Sequence, residues 1–403
     1  VVYPSLSEAL EGGIGSTKTL RVLADWQQGS NAQGTTYQSS FTMPFAWIDK
    51  ELFLHIGAVG SSYTVSVNGK EAGYVQYGNT PADFDVTQLA IEGKNSVIIT
   101  RLTSTQAEVL QASTPPLTSN PIDCYVMAQP KMRIRDIMVH SAPAANGNGV
   151  LEIGIVVKTH ALNAKTTRIY YELIAPDSTK VVDDYKDLTL DMRREDTVRL
   201  MCVVPTDKMW SAEHPHQYTL LVRSRYEGRI NEYVPLKVGF RTISFDGGRL
   251  SINGYPTTLK ARKVDGTCSS EELKTLKQQG YNTVYPNVGP FSRNLLACCD
   301  SLGLYVVGQC PIDTHRAGTS RRVGGNPSND PQWTDAYVDR TEHYYHTIKN
   351  HPSVVAFSLA NNSANGINLY ESYLRLKALE TERPILYLEG GDEWNSDKIE
   401  ITF

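Results

Sequence analysis

Up to residue 102, apolar side chains occur in short runs or alternate with polar ones, at 37–44, 51–59, 63–67, 73–76 and 96–102. A period of two puts one face of each segment in a core and predicts strands. Asn68-Gly69 lies between TVSV and EAGYV, where the pair supplies the two positive φ values of a tight hairpin. Residues 113–121, STPPLTSNP, read as a breaker-rich loop. Many short strands without a helical period must stack sheet on sheet, so this third is predicted to be a β-sandwich. A second block, roughly 132–245, carries predicted strands at 133–140, 150–159, 167–173, 197–204, 218–225 and 233–240. About seven short strands over about a hundred residues fit an immunoglobulin-like sandwich. The Cys…Trp…Cys signature is missing, so strand number and length carry that assignment.

After residue 244 the period changes. Ser269-Ser270-Glu271-Glu272 is a capping box opening a helix that Gly280 ends. Strands at 257–262, 282–285, 304–308, 354–359, 385–388 and 398–403 alternate with helices at 290–302, 330–349 and 369–381. Asp330-Pro331 supplies an N-cap and a proline at the first helical position. Alternation of this kind means parallel strands, in an open doubly wound sheet or a (β/α)8 barrel. No Gly-rich phosphate loop follows any strand, which favours the barrel. About six units are present, so an incomplete barrel with open strand edges is expected. A second copy, a partner chain, an unusual closure or a trimmed chain would account for it. The expected division is 1–130, 131–243 and 244–403.

The charge balance of −4 gives no basis for binding nucleic acid or an anionic membrane. No apolar run approaches the length of a membrane span. Val1-Val2 without Met suggests a processed or trimmed N-terminus, which favours a periplasmic or extracellular location over a cytoplasmic one. Cys124, Cys202, Cys268, Cys298, Cys299 and Cys310 lack metal-site or disulfide-framework spacing and are expected as free thiols. Tyr (22) outnumbers Phe (9), which suits sugar-facing surfaces.

SFTMPFAW, LFLHIGAV, VSVNGKEAGYVQ, PADFDVT and GKNSVIITR, within 40–101, resemble the sugar-binding jelly roll of the β-galactosidase-type glycoside hydrolases of family 2. MWSAEHPHQYTLLV (209–222), and VGFRTISF with INGYPTTLKA (238–261), are similar to that family's middle domain and the start of its barrel. CDSLGLYVV with IDTH (299–315), NPSNDPQW (326–333), NHPSVVAFSL (350–359) and RPILYLEGG (383–391) resemble its third to fifth barrel units. The resemblance spans nearly the whole chain. It implies a jelly roll, an immunoglobulin-like sandwich and an incomplete TIM-type barrel.

The chemistry is where the resemblance fails. Retaining glycosidases use two carboxyl groups, a nucleophile and an acid/base. The family's acid/base Glu falls on Asn362 in the segment ANNSANG, and its nucleophile Glu falls beyond Phe403. A carboxamide exchanges no proton near neutral pH. Tyr285 and Val288 stand where the family has Arg and His, and Lys263-Val264-Asp265-Gly266 replaces its Asn-Arg-His-Glu. The region 103–117 lacks the Asp-rich, Trp-containing loop of the jelly roll. By resemblance, Asn361, Asn362 and Tyr285 are the substrate-binding candidates. Asp313 and His315 keep the spacing of the family's Mg2+ ligands, with the Asn362 carbonyl oxygen as a third donor; the alternative is a hydrogen-bonded loop pair.

Among other candidates, His343 and His346 are three apart on one predicted helix, where a solvated face outweighs a metal pair. Glu389 ends a barrel strand, yet in the family the matching Glu is structural. Trp333 and Trp394 are candidates for stacking on sugar, and the loop 316–325 is long enough to be functional. Two functions are weighed. One is a non-catalytic relative, a pseudoenzyme that binds carbohydrate (β-galactoside-like) or a partner chain. The other is a β-galactosidase-type retaining hydrolase completed by another chain or a further C-terminal region. A purely structural assembly protein is the third.

Overall fold

A computed structural model describes the chain apart from residues 113–118, 145, 147, 288–292, 323, 392 and 394. The first sandwich packs a five-stranded antiparallel sheet on a four-stranded one. The larger sheet has the order Gln27–Asn31, Gly34–Met43, Gly93–Leu102, Tyr63–Val67, Lys70–Val75; the smaller runs Leu20–Val22, Tyr125–Gln129, Glu51–Ile56, Ala82–Asp85. In Gly34–Met43 the alternation turns Tyr37, Phe41 and Met43 inward while Gln38, Ser40 and Thr42 stay exposed. Asn68 (φ 52°) and Gly69 (φ 77°) form the expected hairpin turn. Leu20–Val22 and three further strands are absent from the sequence reading. Gln27–Asn31 is exposed throughout, Ala82–Asp85 has four residues, and Tyr125–Gln129 is buried at four of its five positions, so it does not alternate.

The second sandwich has seven strands. Met132–Pro143, Gly149–Thr159 and Glu195–Val204 form one sheet; Lys180–Leu190, Lys165–Ile174, Tyr218–Tyr226 and Arg229–Val238 form the other. Lys180–Leu190 is the strand absent from the sequence reading. It is an exposed edge rich in Asp and Lys, a composition that discourages edge-to-edge pairing and also erases the alternation.

A small antiparallel sheet that the sequence reading does not contain, Ile243–Asp246, Arg249–Ile252 and Tyr255–Thr257, leads into the third unit. There six parallel strands have the order Ile385–Leu386, Val354–Ser358, Tyr305–Gln309, Thr283–Pro286, Leu259–Val264, Ile401–Thr402. The helices are Ser270–Gln278, Arg293–Leu302, Thr334–Ile348 and Ile367–Leu379. The Ser269–Glu272 capping box forms as expected, whereas Pro331–Trp333 is a single 3-10 turn ahead of the helix at Thr334. Tyr305–Gln309 and Val354–Ser358 are buried at every position, as strands covered on both faces must be. The barrel is incomplete, with six strands. Residues 397–402 run between its outer strands, bridging Leu386 at Asp397 and pairing Ile401 and Thr402 with Leu259 and Lys260.

Polar contacts fasten the sandwiches to the barrel. Asn350 donates to Ile137 O (2.7 Å), and Lys349 pairs with Asp136 at 2.5 Å. Glu382 accepts from the Ser141 backbone at 3.1 Å. Burial at this seam pushes the Glu382 carboxyl up to about 7, with the Arg241 guanidinium opposing and Glu380 adding to the rise. Between its ordinary value of 4.5 and about 7, the folded chain holds a proton at Glu382 that the unfolded chain has released. Stability therefore falls as pH rises through that window and stays lowered above it. Glu382→Gln keeps the acceptor for Ser141 and removes the penalty. It is expected to add about 2 kcal/mol at pH 8 and almost nothing at pH 4, as read from urea midpoints at the two pH values.

Candidate functional site

The third and fourth barrel strands deliver their following loops side by side. Asn361 N donates to Ile312 O at 2.8 Å, and Asp313 bridges Asn361 in parallel, so the ladder continues past the strand ends. On its other side Asp313 meets the first sandwich: its N–H donates to Leu110 O (2.8 Å), and Ala112 N–H donates to its carbonyl (3.0 Å). Asp313 is thereby fully buried. One carboxylate oxygen accepts from the His315 backbone (3.1 Å) and lies 2.7 Å from His315 Nδ1. The other accepts from Asn361 Nδ2 (3.1 Å) and Asn362 Nδ2 (3.3 Å).

Asn362 is exposed and sits at φ 44°, a left-handed conformation that Asn tolerates because its short polar side chain bonds locally. The loop is pinned on both sides. Ser363 Oγ donates to Asn361 O (3.1 Å) and accepts from Thr314 N (3.2 Å). Ser363 N donates to Glu389 Oε2 (3.4 Å), and its carbonyl accepts the Tyr387 hydroxyl, whose ionisation burial pushes far upward. Asp313, His315, Asn361 and Asn362 thus lie together at the ends of the third and fourth strands.

Tyr285 lies inside the barrel. Its hydroxyl is 2.7 Å from Gln309 Oε1 and 2.8 Å from Ser358 Oγ, and burial pushes its pKa up to about 12, so it is a neutral hydroxyl at all ordinary pH. At the mouth the Phe403 ring meets Tyr285 edge-on at 5.6 Å, and Lys263 Nζ lies 5.9 Å and 5.8 Å from the two rings.

The cluster does not fit Mg2+. That ion requires near-octahedral oxygen ligands at about 2.0–2.1 Å. Here both Asp313 oxygens are occupied by N–H donors, and Asn362 turns its amide nitrogen, not its oxygen, to the carboxylate. Among the described residues no three His, Cys, Asp or Glu side chains converge as a metal site. A glutamate at 362 would set a second negative charge against buried Asp313; the amide supplies a donor instead.

The remaining candidates separate. His343 Nε2 lies 2.5 Å from Pro81 O, in the seam with the first sandwich, while His346 is exposed one turn on; the two do not converge. Trp333 packs partly on the barrel core. The loop around 316–325 is tied by buried Asn326, which donates to Gly318 O (2.7 Å), and by Arg321 paired with Glu393 (2.7 Å). All six cysteines are free thiols. Val288 and Trp394 lie outside the described residues. The sequence reading missed Gln309 and Ser358, although a polar residue closing an apolar barrel strand is a usable signal. It also missed Arg340, for which no local signal exists.

Three family profiles match in succession: "Glycosyl hydrolases family 2, sugar binding domain" at 20–143, "Glycosyl hydrolases family 2" at 132–241, and "Glycosyl hydrolases family 2, TIM barrel domain" at 256–402. The β-galactosidase of Priestia megaterium is 27% identical over 371 residues, covering 87% of this chain and 36% of that protein. That of Streptococcus thermophilus is 26% identical over 381 residues, covering 89% and 36%. The chain therefore spans about a third of the length of these relatives. Among solved structures, a family 2 β-glucuronidase superposes with TM-score 0.76 at 14% identity (91% of this chain, 41% of that one). A Bacteroides uniformis β-glucuronidase does so with TM-score 0.73 at 18% identity (88% and 46%). At these identities the superpositions establish the fold.

Asp313→Ala strips the acceptor from two side-chain amides and a buried loop, and is expected to cost about 3 kcal/mol. Exposed Asn362→Ala is expected to cost under about 1 kcal/mol, both read from urea unfolding followed by tryptophan fluorescence. Millimolar Mg2+ or EDTA is expected to leave the melting temperature unchanged. A rise with Mg2+ would show that the native state binds it.

Proposed function

The chain belongs to glycoside hydrolase family 2, and from that premise we propose a carbohydrate-binding member whose barrel mouth does not cleave glycosidic bonds. The observation that carries this reading is the Asn362 amide donating to buried Asp313 at 3.3 Å. Retaining hydrolysis needs a carboxyl group that gives and then takes a proton, beside a second that attacks the sugar. An amide at that place does neither. Asp313, held by its N–H donors, is spent on organising the loop.

What remains suits recognition. The Asn361 and Asn362 amides and the exposed Glu389 carboxylate offer both donors and acceptors to sugar hydroxyls. A β-galactoside-like ligand is the reading supported by the printed activity of the curated relatives. Tyr285 acts here from below, its hydroxyl fixing Gln309 and Ser358 at the strand ends.

A second reading has the cleavage machinery completed by residues outside these 403, and the greater length of the relatives favours it. Asn362 opposes it even then.

The test is release of nitrophenol from an aryl β-galactoside. No turnover above the uncatalysed rate is expected. Turnover that is lost on Glu389→Gln would overturn the proposal, and turnover restored by azide would favour the second reading. In parallel, a galactoside is expected to raise the melting temperature, and Asn361→Ala to weaken that rise. No shift with galactosides, glucuronides or mannosides would point to assembly instead.

A further inference from the structure

A groove of about 590 Å3 lies where the first sandwich meets the barrel helix Thr334–Ile348. Its volume falls in the range of small-molecule sites, about 300–1,000 Å3. The sandwich contributes Tyr74, Gln76 and Gln106; the barrel contributes Trp333, Asp335 and Asp339. Tyr74 is half exposed, at 51%, although it sits in a strand whose neighbours pack. Trp333 rests on the barrel core and lines the groove as well.

The polar side chains here are held in place. Gln76 Nε2 donates to Asp339 Oδ2 (2.8 Å) and Ala336 O (3.2 Å), while Gln76 Oε1 accepts from Arg340 Nε (3.0 Å). Arg340 is buried behind the groove and does not line it, being bonded to Pro311 O (2.9 Å) and Ala107 O (3.2 Å). His343 reaches the groove with its Nε2 engaged at Pro81 O. The lining carries two carboxylates, Asp335 and Asp339.

Two aromatic side chains offer apolar surface, two carboxylates accept hydroxyl protons, and the exposed Gln106 amide can do both. The ligand class that presents an apolar ring face and a rim of hydroxyls is a pyranose. The two carboxylates on the lining repel uronates and sugar phosphates. We propose that this groove is a second carbohydrate site, selective for neutral sugars and separate from the mouth. It stands on its own residues, whether or not the mouth binds sugar. The fixed Gln76–Arg340 contact means that little ordering is required on binding.

The experiment is calorimetric titration of the full chain with lactose and with methyl β-D-glucuronide, on the native protein, Tyr74→Ala, Asp335→Asn and Asn361→Ala. Tyr74 and Asp335 are exposed, so both variants should keep the native melting temperature, which is checked first. If both sites bind, native protein takes up two lactose equivalents. Tyr74→Ala and Asp335→Asn then weaken one class at least about tenfold, and Asn361→Ala weakens only the other. If the mouth reading alone fails, one equivalent binds, and it is lost on Tyr74→Ala but not on Asn361→Ala. Lactose binding unaltered in Tyr74→Ala and Asp335→Asn, absence of lactose binding, or glucuronide binding as tightly as lactose in the Tyr74-dependent class overturns the proposal.

Discussion

Asp313 is a fully buried carboxylate at the meeting point of three chain segments. A buried charge without partners is worth several kcal/mol of destabilisation, so its surroundings must supply donors. They do so through a backbone N–H, a histidine ring and two asparagine amides. That requirement fixes the third loop against the fourth, while the Asp313 backbone ties the loop to the first sandwich. It also gives the amide at 362 a physical rationale: a residue facing this carboxylate must donate, bring a cation or repel it. Here the donor route is taken, with the Asn361 and Asn362 amides both directed at Asp313.

The same logic recurs at the seam with the first sandwich. Arg340 is buried and meets carbonyl and amide oxygens rather than a carboxylate, with its guanidinium over Tyr77 at 5.0 Å. Desolvation lowers its pKa to about 10, far enough above neutrality that it stays charged and keeps donating. By holding Gln76 and the segment around Ala107 and Leu110, it ties the groove wall to the mouth. Sandwich and barrel are therefore joined by directional bonds beside the groove and the mouth. Preorganisation of this kind lowers the entropy lost on binding.

Membership of a hydrolase family and possession of its chemistry are separate questions. The family's profiles follow one another along the chain, because core patterning and turn residues keep the architecture. The reactive groups contribute little to that architecture. One side chain at a loop position can therefore change without disturbing the strands that carry it.

Much was legible in the sequence alone. Period-two alternation, the Asn68-Gly69 turn and the Ser269 capping box are local signals, set by backbone sterics and the positions of neighbouring side chains. They pointed to two sandwiches followed by a parallel barrel, whereas the grouping of Asp313, His315 and Asn362 was implied only by the family resemblance. Strands that are exposed edges, as at Lys180–Leu190, or mostly buried on both faces, as at Tyr125–Gln129, escaped because alternation vanishes when both faces meet the same environment. Tertiary structure alone decided how completely Asp313 is satisfied, that His343 turns into a seam, and that Tyr74 and Trp333 share a groove though more than two hundred residues separate them. Those facts depend on contacts between distant segments, whose geometry no local pattern encodes.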